Sequence, residues 1–238
     1  MPTPPDRQPP PIRPSRASRL APLTGLAGIL FVVAGLAADQ APTSSWPDAR
    51  VEDWYATHGL AGWFVSAYLL ALGAPLVLAF VTVVRDRLRK AGAGNIACDI
   101  LLGSGIAFAV TILVGAGLYA AVPATMTFTS SPAPTAAVSR YLLGASYGVL
   151  VMFSAFAAAL VALTVSVTAL RTRALPRWLA IVGIPAALLM LANPVLPMGV
   201  ITLWFVAASI AFTVSRPRLK AAAETRSPQP VSSEFLDQ

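Results

Sequence analysis

The chain has 238 residues, of which 56% are hydrophobic and 11% charged, with a formal net charge of +7. A soluble domain carries about 25% charged residues to cover its surface, so this composition excludes an ordinary water-soluble globule and points to a lipid bilayer. A single cysteine, Cys98, and a single histidine, His58, exclude an intrachain disulfide, multi-cysteine zinc or iron–sulfur sites and paired-histidine metal centres.

Residues 1–19 are rich in Pro and Arg and hold few groups that build a core. They read as a disordered, solvated tail, with a Pro-x-x-Pro docking segment as the alternative. The first transmembrane helix is expected over about 20–38, a run without charge. Nineteen residues at about 1.5 Å rise nearly match a hydrocarbon core of about 30 Å. A cleaved signal peptide competes with this reading. The apolar run exceeds the usual length of about 7–15 residues, however, and Gly35-Leu36-Ala37 is a poor cleavage site.

Residues 39–59 form the longest loop. Ser45 before Pro47 and Asp48 resembles a helix start, with Ser45 as the cap. Val51, Trp54, Tyr55 and His58 then fall at i, i+3, i+4 and i+7, one helical face. A short amphipathic helix at the membrane surface, about 46–58, is expected. Trp and Tyr suit that level because each has an apolar body and a polar tip.

A second transmembrane helix follows over about 60–84, with a kink expected at Pro75. The basic, glycine-bearing segment 85–95 reads as a turn. The third helix covers about 100–122, then a polar loop, 123–140. The fourth covers about 141–170, and 171–178 is a basic connector. The stretch 178–215 holds no charge and is interrupted by Asn193, Pro194 and Pro197. It reads as two short helices, about 178–192 and 198–214, or else as a hairpin that does not fully span. Residues 216–238 read as a disordered polar tail.

Charge orients the bundle, because Lys and Arg near helix ends accumulate on the cytoplasmic side. Arg7, Arg13, Arg16 and Arg19 precede the first helix. Arg85, Arg87, Arg89 and Lys90 join the second to the third. Arg171, Arg173 and Arg177 join the fourth to the fifth. Arg216, Arg218, Lys220 and Arg226 follow the last. Only Arg50 and Arg140 fall elsewhere, beside Asp39, Asp48, Glu52 and Asp53. The expected fold class is therefore all-α: an integral membrane bundle of about six transmembrane helices, both termini cytoplasmic. An odd number of crossings would put the last basic cluster outside. The basic residues form short clusters rather than one continuous face, so no nucleic-acid partner is expected.

Small residues permit close helix packing in lipid. Gly144 and Gly148, continued by Ser154, Ala158, Ala162 and Ser166, form a stripe on the fourth helix. It reads either as a homodimer seam or as packing within the chain. Gly25, Gly28, Gly35, Gly103, Gly105, Gly115 and Gly117 supply further small positions.

No ionisable residue lies in the middle of any expected span, where such groups usually mark function. Asp39 and Asp99, the latter beside Cys98, fall near helix ends as interfacial carboxylates. Asp48, Glu52, Asp53 and His58 cluster in the loop, where a divalent cation is one reading and a solvated surface helix the other. His58 has an unperturbed pKa near neutrality. The Asn193–Pro197 break could mark a transporter site or simply a turn. No phosphate loop, nucleophile elbow, Cys-x-x-Cys or His-x-x-x-His is present. No catalytic, cofactor-binding or metal residue is assigned.

Four segments together carry a resemblance: LTGLAGILFVVAGL (23–36), the acidic loop ending in WYATHG (54–59), RDRLRK (85–90) and LPRWL (175–179). Over about 20–215 the chain resembles uncharacterised bacterial multi-pass membrane proteins of the domain-of-unknown-function class, found in actinobacteria. The resemblance implies a fold and no activity. The expected role is a non-enzymatic structural or partner-binding component of the cell membrane. Its partners would be the bilayer and a second copy or another membrane protein. A transporter or channel for a small neutral or apolar solute is the alternative. A membrane enzyme would require Asp48, Glu52, Asp53 and His58 to converge over a cleft.

Overall fold

The structure, a computed structural model, describes residues 21–39, 41–42, 45–57, 60–192 and 197–214. Among these residues all regular structure is helical: α1 Leu23–Ala37, α2 Asp48–Thr57, α3 Ala61–Lys90, α4 Asn95–Phe128, α5 Ala136–Thr172, α6 Arg177–Ala192 and α7 Pro197–Val214. Calls that fall on the two tails, His58 or the Asn193–Pro194 break lie outside the described residues.

Three helices, α3, α4 and α5, are long and apolar enough to cross a membrane. Their 30, 34 and 37 residues correspond to about 45–55 Å, against a hydrocarbon core of about 30 Å. The apolar helices α1, α6 and α7 have 15, 16 and 18 residues, or about 22–27 Å. Large apolar side chains point outward all around the bundle, among them Leu72, Val110, Leu113, Phe156, Leu188 and Leu203. Such a belt is costly in water and suits lipid. The three long helices point to a membrane location.

The helices run alternately up and down. Along α1 the residues Gly25, Gly28 and Gly35 meet Phe80, Val77 and Leu70 of α3 in turn, so the two are antiparallel. Arg85 reaches Cys98 and Asp99 of α4, while Trp63 stacks on Tyr119. Gly115 of α4 faces Leu150 of α5, and Gly183 of α6 faces Ser166 of α5 and Trp204 of α7. Arg87 donates to the Phe212 carbonyl near the end of α7, and Gly25 faces Ser209. The start of α1, the α3–α4 turn and the end of α7 therefore share one end of the bundle, and α2 lies at the other.

The α1–α3 seam brings backbone against backbone. A Cβ on Gly28 would lie 2.8 Å from the Val77 backbone nitrogen and 3.0 Å from the Gly73 carbonyl oxygen. A Cβ on Gly73 would lie 2.8 Å from the Gly28 carbonyl oxygen. Backbone meets backbone there, so only hydrogen side chains fit.

Several helices overrun their expected ends. Segment 85–90 is not a turn but the last turn of α3, where Arg87, Arg89 and Lys90 complement the helix dipole. The stop comes at Gly92, with φ of 90°. Ala93 N–H bonds the Leu88 carbonyl and Gly92 N–H that of Arg89, the paired closure that a left-handed glycine permits. α4 continues through Pro123 to Phe128. Proline removes only one backbone donor, which a helix in a bundle tolerates. α3 likewise runs through Pro75.

α5 contains one wide π-helical turn, Gly148–Phe153. It re-registers the helix. Ser139, Leu143 and Ser146 face inward before it, and Ala158, Ala162 and Val165 after it. It also seats the fully buried Leu150 on Gly115, where Ser146 donates to the Gly115 carbonyl at 2.8 Å. The small-residue stripe consequently splits. Ser154, Ala158, Ala162 and Ser166 are buried within the chain. Gly144 and Gly148 face open space.

Candidate functional site

The polar groups of the bundle gather where α1 ends. Beyond Ala37 the chain turns, and Asp39 Oδ1 accepts the Ala41 N–H at 2.8 Å, an Asx turn. The same oxygen accepts the Tyr119 hydroxyl of α4 at 2.6 Å. The other carboxylate oxygen accepts the Tyr147 hydroxyl of α5. One carboxylate thus ties three helices together. Hydrogen bonds to a charged acceptor contribute about 1.5–3 kcal/mol each. Asp39 is not the free, solvated carboxylate its position near a helix end suggested.

α2 closes this end. Its Val51, Trp54 and Tyr55 are buried, on the face expected from their spacing. Trp63, fully buried, contacts Trp54 at 5.7 Å, Tyr55 edge-on at 5.6 Å and Tyr119 stacked at 5.2 Å between ring centroids. Such ring pairs add about 0.5–1.5 kcal/mol beyond area burial. Tyr55 shares a hydrogen bond with Ser139 of α5. Burial pushes the Tyr55 phenol above its ordinary value, and the Ser139 bond opposes part of that rise. The neighbouring Arg140 donates to Asp48 at 2.6 Å and to the Trp46 carbonyl at 2.5 Å. Consecutive residues of α5 therefore grip both α2 and the segment before it.

Outward-facing α2 is different in character. Arg50 lays its guanidinium over the Trp46 ring, 4.1 Å from the centroid. Trp46, Arg50, Asp53 and Trp54 line an open recess of about 180 Å³. Of the four loop residues weighed for a cation, Asp48 is engaged by Arg140, while Glu52 and Asp53 are exposed. Among the described residues no three His, Cys, Asp or Glu side chains gather.

The opposite end is basic. Arg85 pairs with Asp99 at 2.9 Å and bonds the Cys98 carbonyl at 3.2 Å. Cys98 is buried. Between the two ends lies an apolar core of Phe80, Phe108, Phe205 and Phe212 with many Ala and Val. Within it Ser166 Oγ, Trp204 Nε1 and Ser209 Oγ are buried without a hydrogen-bond partner. The first two both face Gly183.

The Asp39–Tyr119–Tyr147 cluster has no sequence signature. Its members are 80 and 108 positions apart, and neither separation carries helical phase. The one available signal is chemical: two tyrosines inside apolar runs need partners for their hydroxyls. Compared with protein-family models, curated proteins and solved structures, the chain gives no match.

Proposed function

We propose that the chain is a six-span protein of the cell membrane with both ends in the cytoplasm, and that it acts as a non-enzymatic structural or partner-binding component. The observation that carries this is the use of the polar groups at the α2 end. Asp39, Tyr119, Tyr147, Tyr55 and Ser139 spend their hydrogen bonds on one another, in the service of closing the bundle. Tyr119, only 3% exposed, is packed under Trp63 rather than lining a path. Six spans are supported by the up-and-down course of α1 and α3–α7, and the orientation by the arginines at the end opposite α2. The short α1, α6 and α7 are accommodated by local thinning of the bilayer and by the flanking arginines. The resemblance to uncharacterised bacterial multi-pass membrane proteins belongs to this reading.

The alternative, a transporter or channel for a small neutral or apolar solute, draws on the unpartnered Ser166, Trp204 and Ser209 in the core. Proteoliposomes challenged with glycerol and urea in a stopped-flow shrinkage assay decide between the two. The proposal expects rates equal to those of protein-free vesicles. Faster solute entry, reduced by Ser166→Ala, would establish the transporter instead. A reporter fused after Lys220 is expected to be active only in its cytoplasmic form.

A further inference from the structure

The outer face of α2 carries two charges that do not neutralise each other. Arg50 and Asp53 stand at i and i+3, a spacing at which helix side chains are neighbours and opposite charges ordinarily pair. Here the Arg50 guanidinium lies on Trp46 instead, and Asp53 has no ion partner among the described residues. Both residues line one open recess of about 180 Å³, together with Trp46 and Trp54. That is below the volume of about 300–1,000 Å³ typical of drug-sized ligand sites, which favours a small polar group. A cation and an anion held apart over aromatic walls complement a molecule whose own charges are held apart.

The recess also has a level. α2 lies between two apolar helices, α1 and α3, and Trp46 just before it and Trp54 on it suit the headgroup zone of a bilayer. With Asp48 paired to Arg140, Glu52 and Asp53 still outnumber Arg50 on α2, so a purely anionic headgroup meets net repulsion. A headgroup with an ammonium does not.

We propose that this recess binds the phosphoethanolamine headgroup of a membrane lipid, with Arg50 on the phosphate and Asp53 on the ammonium. The ethanolamine arm holds those charges apart by two methylenes, and side chains at i and i+3 of a helix stand about 5–6 Å apart at Cβ. Guanidinium–phosphate contact is charge-assisted and directional. The ammonium donates to the carboxylate. The proposal rests on the membrane reading above.

The test uses the full chain purified in mild detergent, with bound lipid counted by native mass spectrometry. Short-chain phosphatidylethanolamine and phosphatidylglycerol are titrated separately, and water-soluble glycerophosphoethanolamine serves as the lipid-free probe. Phosphatidylethanolamine is expected to bind more tightly than phosphatidylglycerol. Arg50→Gln and Asp53→Asn should each weaken it about tenfold, the loss of one charged hydrogen bond. Glu52→Gln, on the same helix but outside the recess, should leave it unchanged. Equal binding of the two lipids, or wild-type binding by both recess variants with unaltered melting, overturns the proposal. Binding of glycerophosphoethanolamine as tight as that of the lipid also overturns it, since the recess would then serve a free solute. A chain recovered from cells without detergent would instead defeat the membrane reading itself.

Discussion

The α1–α3 seam and the α2 end hold the molecule together by opposite means. At the seam Gly28 and Gly73 bring two backbones into contact, and the side chains of Val32 and Val77 pack directly onto the glycines. At the α2 end side chains make the connection between helices. Asp39 joins Tyr119 and Tyr147, while Trp63 fills the space between Trp54, Tyr55 and Tyr119. On the proposed six-span arrangement, the contrast follows from the solvent. Inside lipid, apolar side chains gain little by leaving the hydrocarbon for one another, so close contact between small residues decides. Near the headgroups, water returns and hydrophobic burial and hydrogen bonding both contribute.

The comparison predicts unequal sensitivity. Gly28→Leu should be the most damaging single change, because its side chain would have to displace the α3 backbone. A loss of about 3 kcal/mol or more is expected, read as a lower thermal unfolding midpoint in detergent or as failure to accumulate. Asp39→Ala comes next. It leaves the buried Tyr119 phenol and the half-buried Tyr147 phenol without their acceptor, at about 2–3 kcal/mol. Adding Tyr119→Phe and Tyr147→Phe should recover part of that loss, since no phenol then lacks a partner, although the Ala41 N–H still loses its acceptor. No recovery would mean that the cluster acts through shape rather than hydrogen bonding.

A smaller effect concerns pH. The Tyr55 phenol titrates above its unfolded value of 10.0 in the folded chain. Its stabilisation is therefore complete below about pH 10 and declines as pH rises through the higher folded value. Tyr55→Phe should flatten the alkaline arm of a stability profile followed by tryptophan fluorescence. An unchanged arm would place the alkaline transition elsewhere. Smallest of all is Gly144→Ala. A Cβ there meets open space, so the midpoint of the solubilised monomer should move by less than about 0.5 kcal/mol. Loss of a dimer on size-exclusion chromatography in mild detergent would instead show that this face is covered by a second copy, the homodimer seam that the sequence pattern allows.

The contrast also explains what the sequence reveals. All-helical architecture is legible because apolar runs bounded by arginines leave few alternatives. The buried face of α2 is legible because Val51, Trp54 and Tyr55 repeat at helical spacing. Helix ends are harder. Pro123 looks like a terminator, but its one lost donor is minor in a bundle, and α4 passes through it. RDRLRK looks like a loop by charge, whereas arginines are favoured on the last turn of a helix and Gly92 makes the true stop. The Asp39 cluster is invisible, since its phenols reach the carboxylate only after α1, α4 and α5 have packed. The split of the α5 stripe depends on the wide turn at Gly148–Phe153, which no residue pattern in that segment announces.

The central claim is an even-numbered bundle whose α2 end faces outward. Cys98 is the single cysteine, and it is buried. In a Cys98→Ala background, Ala91→Cys, Ser130→Cys and Ser227→Cys therefore place one label each at the α3–α4 turn, the α4–α5 loop and the C-terminal segment. Whole cells are treated with a membrane-impermeant maleimide before and after lysis. The account predicts labelling of Ser130→Cys in intact cells, and of Ala91→Cys and Ser227→Cys only after lysis. Labelling of Ser227→Cys together with Ser130→Cys in intact cells would contradict it, because the chain would then cross the membrane an odd number of times between the α3–α4 turn and its C-terminal segment.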